Sequence, residues 1–143
     1  MPKKLLIIPC SKMKIKSKRK IPAIERYDGY FFKILKKNRT KNLGVLILSA
    51  KYGLLNEDEK ISYYDKKMNH DTAKQLENQV SKKFLEKVNL EEYEEVCINL
   101  GRCYTECFAK TIKYIKRYFS GRIFLMKGGL GNRGNILKNW LNT

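Results

Sequence analysis

The chain has few of the residues on which many catalytic and metal sites depend. It contains one histidine, His70, and its four cysteines include no C-x-x-C pair. A Cys–His nucleophile pair would depend on that single imidazole, and a zinc site would need cysteines gathered from separate strands and a helix. We therefore predict that no metal is bound and that the cysteines are free thiols, with Cys10 a small buried thiol.

Long apolar runs and targeting signals are also missing. No stretch approaches the roughly 18 residues of a membrane span, and the N-terminus lacks the charged, apolar and small-residue regions of a signal peptide. A G-x-G-x-x-G fingerprint and a Walker lysine are absent too. For a chain of 143 residues we expect one domain over 1–143, located in the cytoplasm, with no membrane partner and no cofactor.

Acidic residues are scarce relative to basic ones. The chain has 14 Asp and Glu against 31 Lys and Arg, which gives a formal net charge of +17. A field of this sign attracts polyanions, of which nucleic acid is the commonest. The alternative is that a lysine-rich proteome places lysine on every surface.

Residues 12–20, here called the basic segment, concentrate this charge. The segment predicts either a mobile, solvated loop or an arm that contacts phosphates. The candidate nucleic-acid-binding residues are Lys14, Lys16, Lys18, Arg19 and Lys20.

Four short apolar runs, at 3–9, 45–48, 96–100 and 123–126, predict strands. Helical spacing predicts helices over 22–38, from Asn69 or Asp71 onward, over 104–119, and over a short last segment, 136–141. Alternation of this kind predicts an α/β fold, a single-domain three-layer sandwich whose mostly parallel sheet has about four or five strands.

Each apolar run ends abruptly at small and polar residues. Because the carboxyl ends of parallel strands lie along one edge of the sheet, where ligands bind, we expect these exits to form one site. Turns with solvated side chains are the alternative for each exit. The candidate substrate-binding residues at the exits are Cys10, Ser11, Lys12, Ser49, Lys51, Tyr52, Gly53, Gly101, Tyr104, Gly129, Gly131 and Arg133, with Tyr27 on the first helix.

The irregular stretch before the second long helix carries the candidate catalytic pair, Tyr64 and Asp65. Polar groups on irregular segments are often functional. A carboxylate beside aromatic rings can activate water or stabilise an oxocarbenium ion. The alternative is that Asp65 only caps a turn.

Taken together, these motifs resemble a family of small α/β proteins of unknown function (DUF6884-like). The shared pattern is PCSxxK, a helical tyrosine, SAKYGLL, Tyr-Asp, GxxY and G-x-G, found here at 9–11, 27, 49–55, 64–65, 101–104 and 128–133. More distantly, 52–68 is similar to the peroxide-stress protein YaaA, and 9–11 to archaeosine synthase, a tRNA base-modifying enzyme. The resemblance implies a role with nucleic acids or nucleobases, and a sheet like that of uracil-DNA glycosylases.

These observations lead to one expected function and two alternatives. We expect an enzyme that acts on a nucleobase or nucleoside, free or in nucleic acid, and that cleaves or exchanges an N-glycosidic bond. Tyr52, Tyr64 and Tyr104 would stack on the base, Asp65 would supply the carboxylate, and Ser11, Lys51 and Arg133 would contact phosphate or base edges. The alternatives are a non-catalytic basic nucleic-acid-binding protein and a sensor of small nucleotides.

Overall fold

The computed structural model describes residues 3–143, and within them the strands form two sheets. The strands are β1 (Lys4–Pro9), β2 (Ile21–Pro22), β3 (Leu43–Ser49), β4 (Gly53–Asn56), β5 (Lys60–Ile61), β6 (Glu95–Ile98) and β7 (Arg122–Leu125). The main sheet has the order β4-β3-β1-β6-β7. Only β4 is antiparallel to its neighbour in this sheet, while β2 and β5 form a separate antiparallel pair. The predicted mostly parallel α/β sheet is confirmed.

Helices flank this sheet. They are α1 (Ala23–Arg26), α2 (Tyr30–Asn38), α3 (His70–Lys87), α4 (Arg102–Cys107), α5 (Ala109–Tyr118) and α6 (Leu130–Leu141). α2 packs against α6, whereas α3 packs against α4 and α5. The connection from β1 leads to β3 on one side of β1, whereas the connection from β6 leads to β7 on the other side. Because crossovers between parallel strands are right-handed, these two groups of helices cover opposite faces of the sheet. The central strand β1 is apolar after Lys4, and its residues Leu5 to Ile8 are at most 1% exposed.

The edge strand β4 was not predicted. Its residues follow directly on Ser49-Ala50-Lys51-Tyr52, and the sequence favoured a turn there. Gly53 has a φ of +75°, a conformation that glycine adopts without strain, and this reverses the chain so that Leu54 and Leu55 pair back onto β3. The connection is therefore a hairpin, where the sequence predicted a turn that leads into an irregular stretch.

Three predicted helices differ from the observed ones. The predicted helix over 22–38 is interrupted after Arg26, because Tyr27 is extended and Gly29 begins a new helix. The helix predicted over 104–119 is divided at Phe108, and the last helix is twice the predicted length because it begins at Leu130. Of the two predicted caps of α3, Asn69 and Asp71, the structure shows Asn69, whose side chain accepts a hydrogen bond from the Thr72 amide.

Candidate active site

The carboxyl ends of β1 and β6 lie side by side at the point where the strand order reverses. The Asn99 amide donates to the Ile7 carbonyl at 3.0 Å and continues the pairing just beyond β6. The Cys10 thiol and the Tyr104 hydroxyl are hydrogen-bonded at 3.0 Å across this junction. In doubly wound sheets this position is where ligands bind.

A cavity of about 450 Å³, here called the Cys10 cleft, opens beside this junction. It is lined by Cys10, Ser11, Lys12, Lys14, Asp65, Lys66, Lys67, Met68 and Tyr104. The residues that follow β1, those that follow β6 and the irregular segment before α3 therefore meet at this cleft. The cleft offers a thiol, a phenol, a carboxylate and several ammonium groups to a ligand of nucleoside size.

Beside the cleft, Tyr64 takes part in a chain of hydrogen-bonded hydroxyl groups. Its phenol oxygen lies 2.5 Å from that of Tyr27 and 2.8 Å from Ser49 Oγ. The amides of Lys51 and Tyr52 donate to Ser49 Oγ, which leaves the serine to donate its own proton to Tyr64. Burial raises the pKa of both Tyr64 and Tyr27 well above the ordinary tyrosine value, so both stay neutral at pH 7.

Two lysines lie over the ring of Tyr64. Lys14 Nζ is 4.6 Å from the ring centroid and Lys51 Nζ is 5.8 Å away. Burial lowers the pKa of Lys14, and its electrostatic interactions with Cys10 and Asp65 oppose that shift. Lys14 therefore connects the tyrosine cluster with the carboxylate of the cleft.

The sequence of residues 5–139 matches the model of a protein family described as "Family of unknown function (DUF6884)". The chain belongs to this family. The match confirms the predicted family resemblance. No curated protein and no solved structure matches the chain, so the similarities to YaaA and archaeosine synthase stay predictions.

The other predicted exit residues of this DUF6884 protein lie around the cleft or beyond it. Lys51, Tyr52 and Gly53 form the β3–β4 turn, where the Tyr52 ring meets that of Tyr64 edge to face at 5.5 Å. Gly129 and Gly131 lie at the exposed start of α6, where a Cβ on either glycine would have no neighbouring atom within 4 Å. Gly101 and Arg133 lie together in a second cavity, described below.

Two residues that were predicted to contact a ligand, Ser11 and Tyr64, form hydrogen bonds within the protein instead. Ser11 Oγ donates to the Met13 carbonyl at 2.6 Å and accepts from the Gly29 amide, so it fixes the loop after β1. Tyr64 is only 6% exposed, and its ring is enclosed by neighbouring side chains. A stacking role at the cleft is therefore better placed on the half-buried Tyr104.

The basic segment is attached to the domain by a buried arginine, so it is not the mobile loop that the sequence allowed. The guanidinium of Arg26 donates to the carbonyls of Ile15, Ser17, Arg19 and Ile61 at 2.5–3.1 Å. The side chains of Lys16, Lys18, Arg19 and Lys20 nevertheless remain exposed. They form a fixed basic surface beside α1.

Sequence reasoning missed two buried polar residues, Arg26 and Asn99. Arg26 stands in a helical pattern in which it reads as an ordinary surface residue. Asn99 interrupts the apolar run 96–100, and a lone amide in such a run was the available signal that β6 ends in a polar site. Asn99 is fully buried and accepts a hydrogen bond from Arg133.

Within residues 3–143, no cluster of three or more His, Cys, Asp or Glu side chains is arranged to hold a metal ion. The four cysteines are free thiols. None of the helices described has the length and apolarity needed to cross a bilayer.

Proposed function

We propose that this protein is an enzyme that acts on a nucleobase or nucleoside, free or within nucleic acid, and cleaves or exchanges its N-glycosidic bond. The observation that carries the proposal is the position of Asp65 in the Cys10 cleft, with Lys14 and Tyr104 on the same walls. Carboxylates beside an electron-deficient sugar carbon are the groups that glycosidic chemistry requires. We place this activity in the cytoplasm.

Asp65 supplies the charge in this proposal. It is exposed to the cleft, and its oxygens have no hydrogen-bond partner among the described residues, so both are available to a ligand. In hydrolysis, water would add to the sugar C1′ as the C–N bond breaks. The bond electrons would pass to the base, and Asp65 would stabilise the oxocarbenium ion and accept the proton of the water.

Tyr104 serves base recognition in this proposal. Burial raises the pKa of Tyr104, so its hydroxyl remains a neutral group beside the Cys10 thiol, and its half-buried ring offers a surface for stacking. The cleft has room for one nucleoside and not for a duplex. A base within double-stranded nucleic acid would therefore have to leave the helix to enter it.

The experiment that tests this proposal measures base release. Wild-type protein is incubated with normal and modified nucleosides, nucleotides and single- and double-stranded oligonucleotides, and free base is quantified chromatographically. We expect release from at least one substrate. Asp65→Asn should reduce that rate by about 100-fold or more, because the carboxylate acts directly on the reacting sugar.

Asp58→Asn is the matched control. Asp58 is also exposed, but it lies in a pocket at the opposite edge of the sheet, with Gly44 and Tyr93. Its substitution should leave the rate unchanged. No release from the whole panel would contradict the proposal, and equal rates for wild type and Asp65→Asn would remove Asp65 from the mechanism.

The second candidate function is nucleic-acid binding without chemistry. The exposed lysines of the basic segment and the net charge of +17 favour it. Salt-sensitive oligonucleotide binding that is unchanged in Asp65→Asn, together with no base release, is the result that would select it.

A further inference from the structure

A second cavity, here called the Arg133 cavity, lies next to the Cys10 cleft. Its volume is about 370 Å³, and it opens beyond the carboxyl ends of β6 and β7. The first turn of α4 separates the two cavities, because Gly101, Arg102 and Thr105 line the Arg133 cavity while Tyr104 lines the Cys10 cleft. The two therefore open on different sides of the start of α4.

The charged groups around the Arg133 cavity are all cationic. Arg102, Lys116, Lys127 and Arg133 line it, and no carboxylate is among its lining residues. Arg102, Lys116 and Lys127 have exposed side chains and come from three different segments, α4, α5 and the loop after β7. Like charges are brought together here without a counter-charge from the protein.

Arg133 is the buried member of this group. It is only 8% exposed, and its guanidinium carbon lies 4.9 Å from the ring centroid of Phe31. Among the described residues the only hydrogen bond of its guanidinium runs from Nη1 to Asn99 Oδ1 at 3.2 Å, and Nε is buried without an acceptor. A guanidinium in this position has lost water without gaining an anion, which is costly in an isolated fold.

The neighbouring groups also have spare donors. Asn99 Nδ2 is buried without an acceptor. Nη2 of Arg133 lies beside Gly101, where a Cβ would be in ordinary van der Waals contact with it at 3.7 Å. Burial lowers the pKa of Arg133, as expected for a cation that has no anionic partner. Because Arg133 lines the cavity, an anion bound there would give its guanidinium the missing acceptor.

We propose that the Arg133 cavity binds a phosphoryl group, and that this group is the 5′-phosphate of a nucleotide whose base and sugar occupy the Cys10 cleft. Its assignment to a nucleotide rests on the function proposed above. Arg133 forms the fixed, planar contact that suits phosphate oxygens, and Lys116 and Lys127 neutralise the remaining charge from the open side.

Thermal unfolding tests the phosphoryl site without requiring catalysis. Melting temperatures are measured in inorganic phosphate and in chloride at the same pH and ionic strength. We expect phosphate to raise the melting temperature of the wild type in a concentration-dependent way, because it binds only the folded state. Arg133→Met should abolish that rise. In chloride, the loss of the donor to Asn99 Oδ1 offsets the gain from removing a buried charge that has no anionic partner.

Lys116→Ala and Lys113→Ala form the matched pair for this test. Both lysines are exposed on α5, but only Lys116 lines the cavity. Lys116→Ala should reduce phosphate affinity several-fold and Lys113→Ala should not, which keeps the test valid if Arg133→Met does not fold. Phosphate stabilisation no greater than that of chloride, or equal losses in the two lysine variants, would overturn the proposal.

Calorimetry with the four common ribonucleosides and their 5′-monophosphates assigns the source of the phosphoryl group. We expect a monophosphate to bind at least 10-fold more tightly than its nucleoside, with the difference lost in Arg133→Met. Equal affinities would overturn the nucleotide assignment. Base release from nucleosides without any phosphate effect would reject this cavity and leave the proposed activity standing, whereas phosphate binding without base release would do the reverse.

Discussion

Tyr64 determines the arrangement of the cleft at the scale of single residues. Its hydroxyl joins Ser49, at the end of β3, to Tyr27, at the end of α1, and its backbone places Asp65 at the cleft wall. The sequence marked Tyr64 and Asp65 as a candidate catalytic pair because they stand on an irregular segment. It did not predict the burial of Tyr64, because a hydroxyl network that joins three segments leaves no periodic pattern.

Tyr64→Phe should destabilise the protein by about 1–3 kcal/mol, because it leaves the buried hydroxyls of Ser49 and Tyr27 without their shared partner. Urea unfolding measures the change. Tyr63→Phe is the matched control, since Tyr63 is 42% exposed and has no side-chain hydrogen bond among the described residues. Equal stabilities for Tyr64→Phe and Tyr63→Phe would contradict the role given to this network.

The stability difference has a defined pH dependence. The folded-state pKa of Tyr64 is raised, so the contribution of the buried phenol is fully present below the unfolded tyrosine pKa of about 10. It should decline as the pH rises above that value, because the unfolded chain then releases the proton first. Wild type should therefore lose stability above about pH 10 more steeply than Tyr64→Phe.

At the scale of elements, the basic segment is fixed to the domain through Arg26. The Ile15 amide donates to the Arg26 carbonyl and the Asp28 amide to the Met13 carbonyl, which adds a backbone ladder to the side-chain contacts. The segment's lysines are consequently presented on a fixed surface. Such a surface orders fewer groups on binding a polyanion than a flexible arm would.

Arg26→Gln should release this segment, because the guanidinium bonds to four carbonyls and the shorter amide cannot reach them all. Hydrogen exchange should be at least 10-fold faster at the Ile15 and Asp28 amides, with little change at the amides of β1. Arg117→Gln, on the exposed face of α5, is the control and should leave these amides protected. Unchanged protection at Ile15 in Arg26→Gln would show that the segment is held by other contacts.

The elements most accessible to prediction were those with an uninterrupted apolar run or a capping residue. The four apolar runs marked the parallel strands, and the Asn69 cap marked the start of α3. β4 was not predicted because its four residues follow a tight turn and show no alternation of apolar and polar residues that would distinguish a strand from a loop. The break before α2 was not predicted because its cause is a tertiary contact. The Gly29 backbone lies against Ser11, and a Cβ on this glycine would be 2.5 Å from the serine Cβ.

At the scale of the whole molecule, the topology explains why the site lies where it does. The strand order reverses between β1 and β6, so the helices that follow them leave on opposite faces and their loops separate. The Cys10 cleft and the Arg133 cavity flank α4 at this point. The sequence predicted that the residues after the strands lie along one edge of the sheet. It did not predict which of them are neighbours, because no local sequence pattern encodes the order of the strands.

Amide chemical-shift mapping with a nucleoside 5′-monophosphate tests most directly whether this edge is the ligand site. Titration of the 143-residue protein at constant ionic strength should perturb amides at 10–14, 64–68, 101–105 and 128–134, with saturation at one affinity. Amides of the pocket at the opposite edge, including Gly44 and Val88, should not move. Perturbations confined to that opposite edge, or scattered weakly over the lysine-rich surface without saturation, would contradict the central claim.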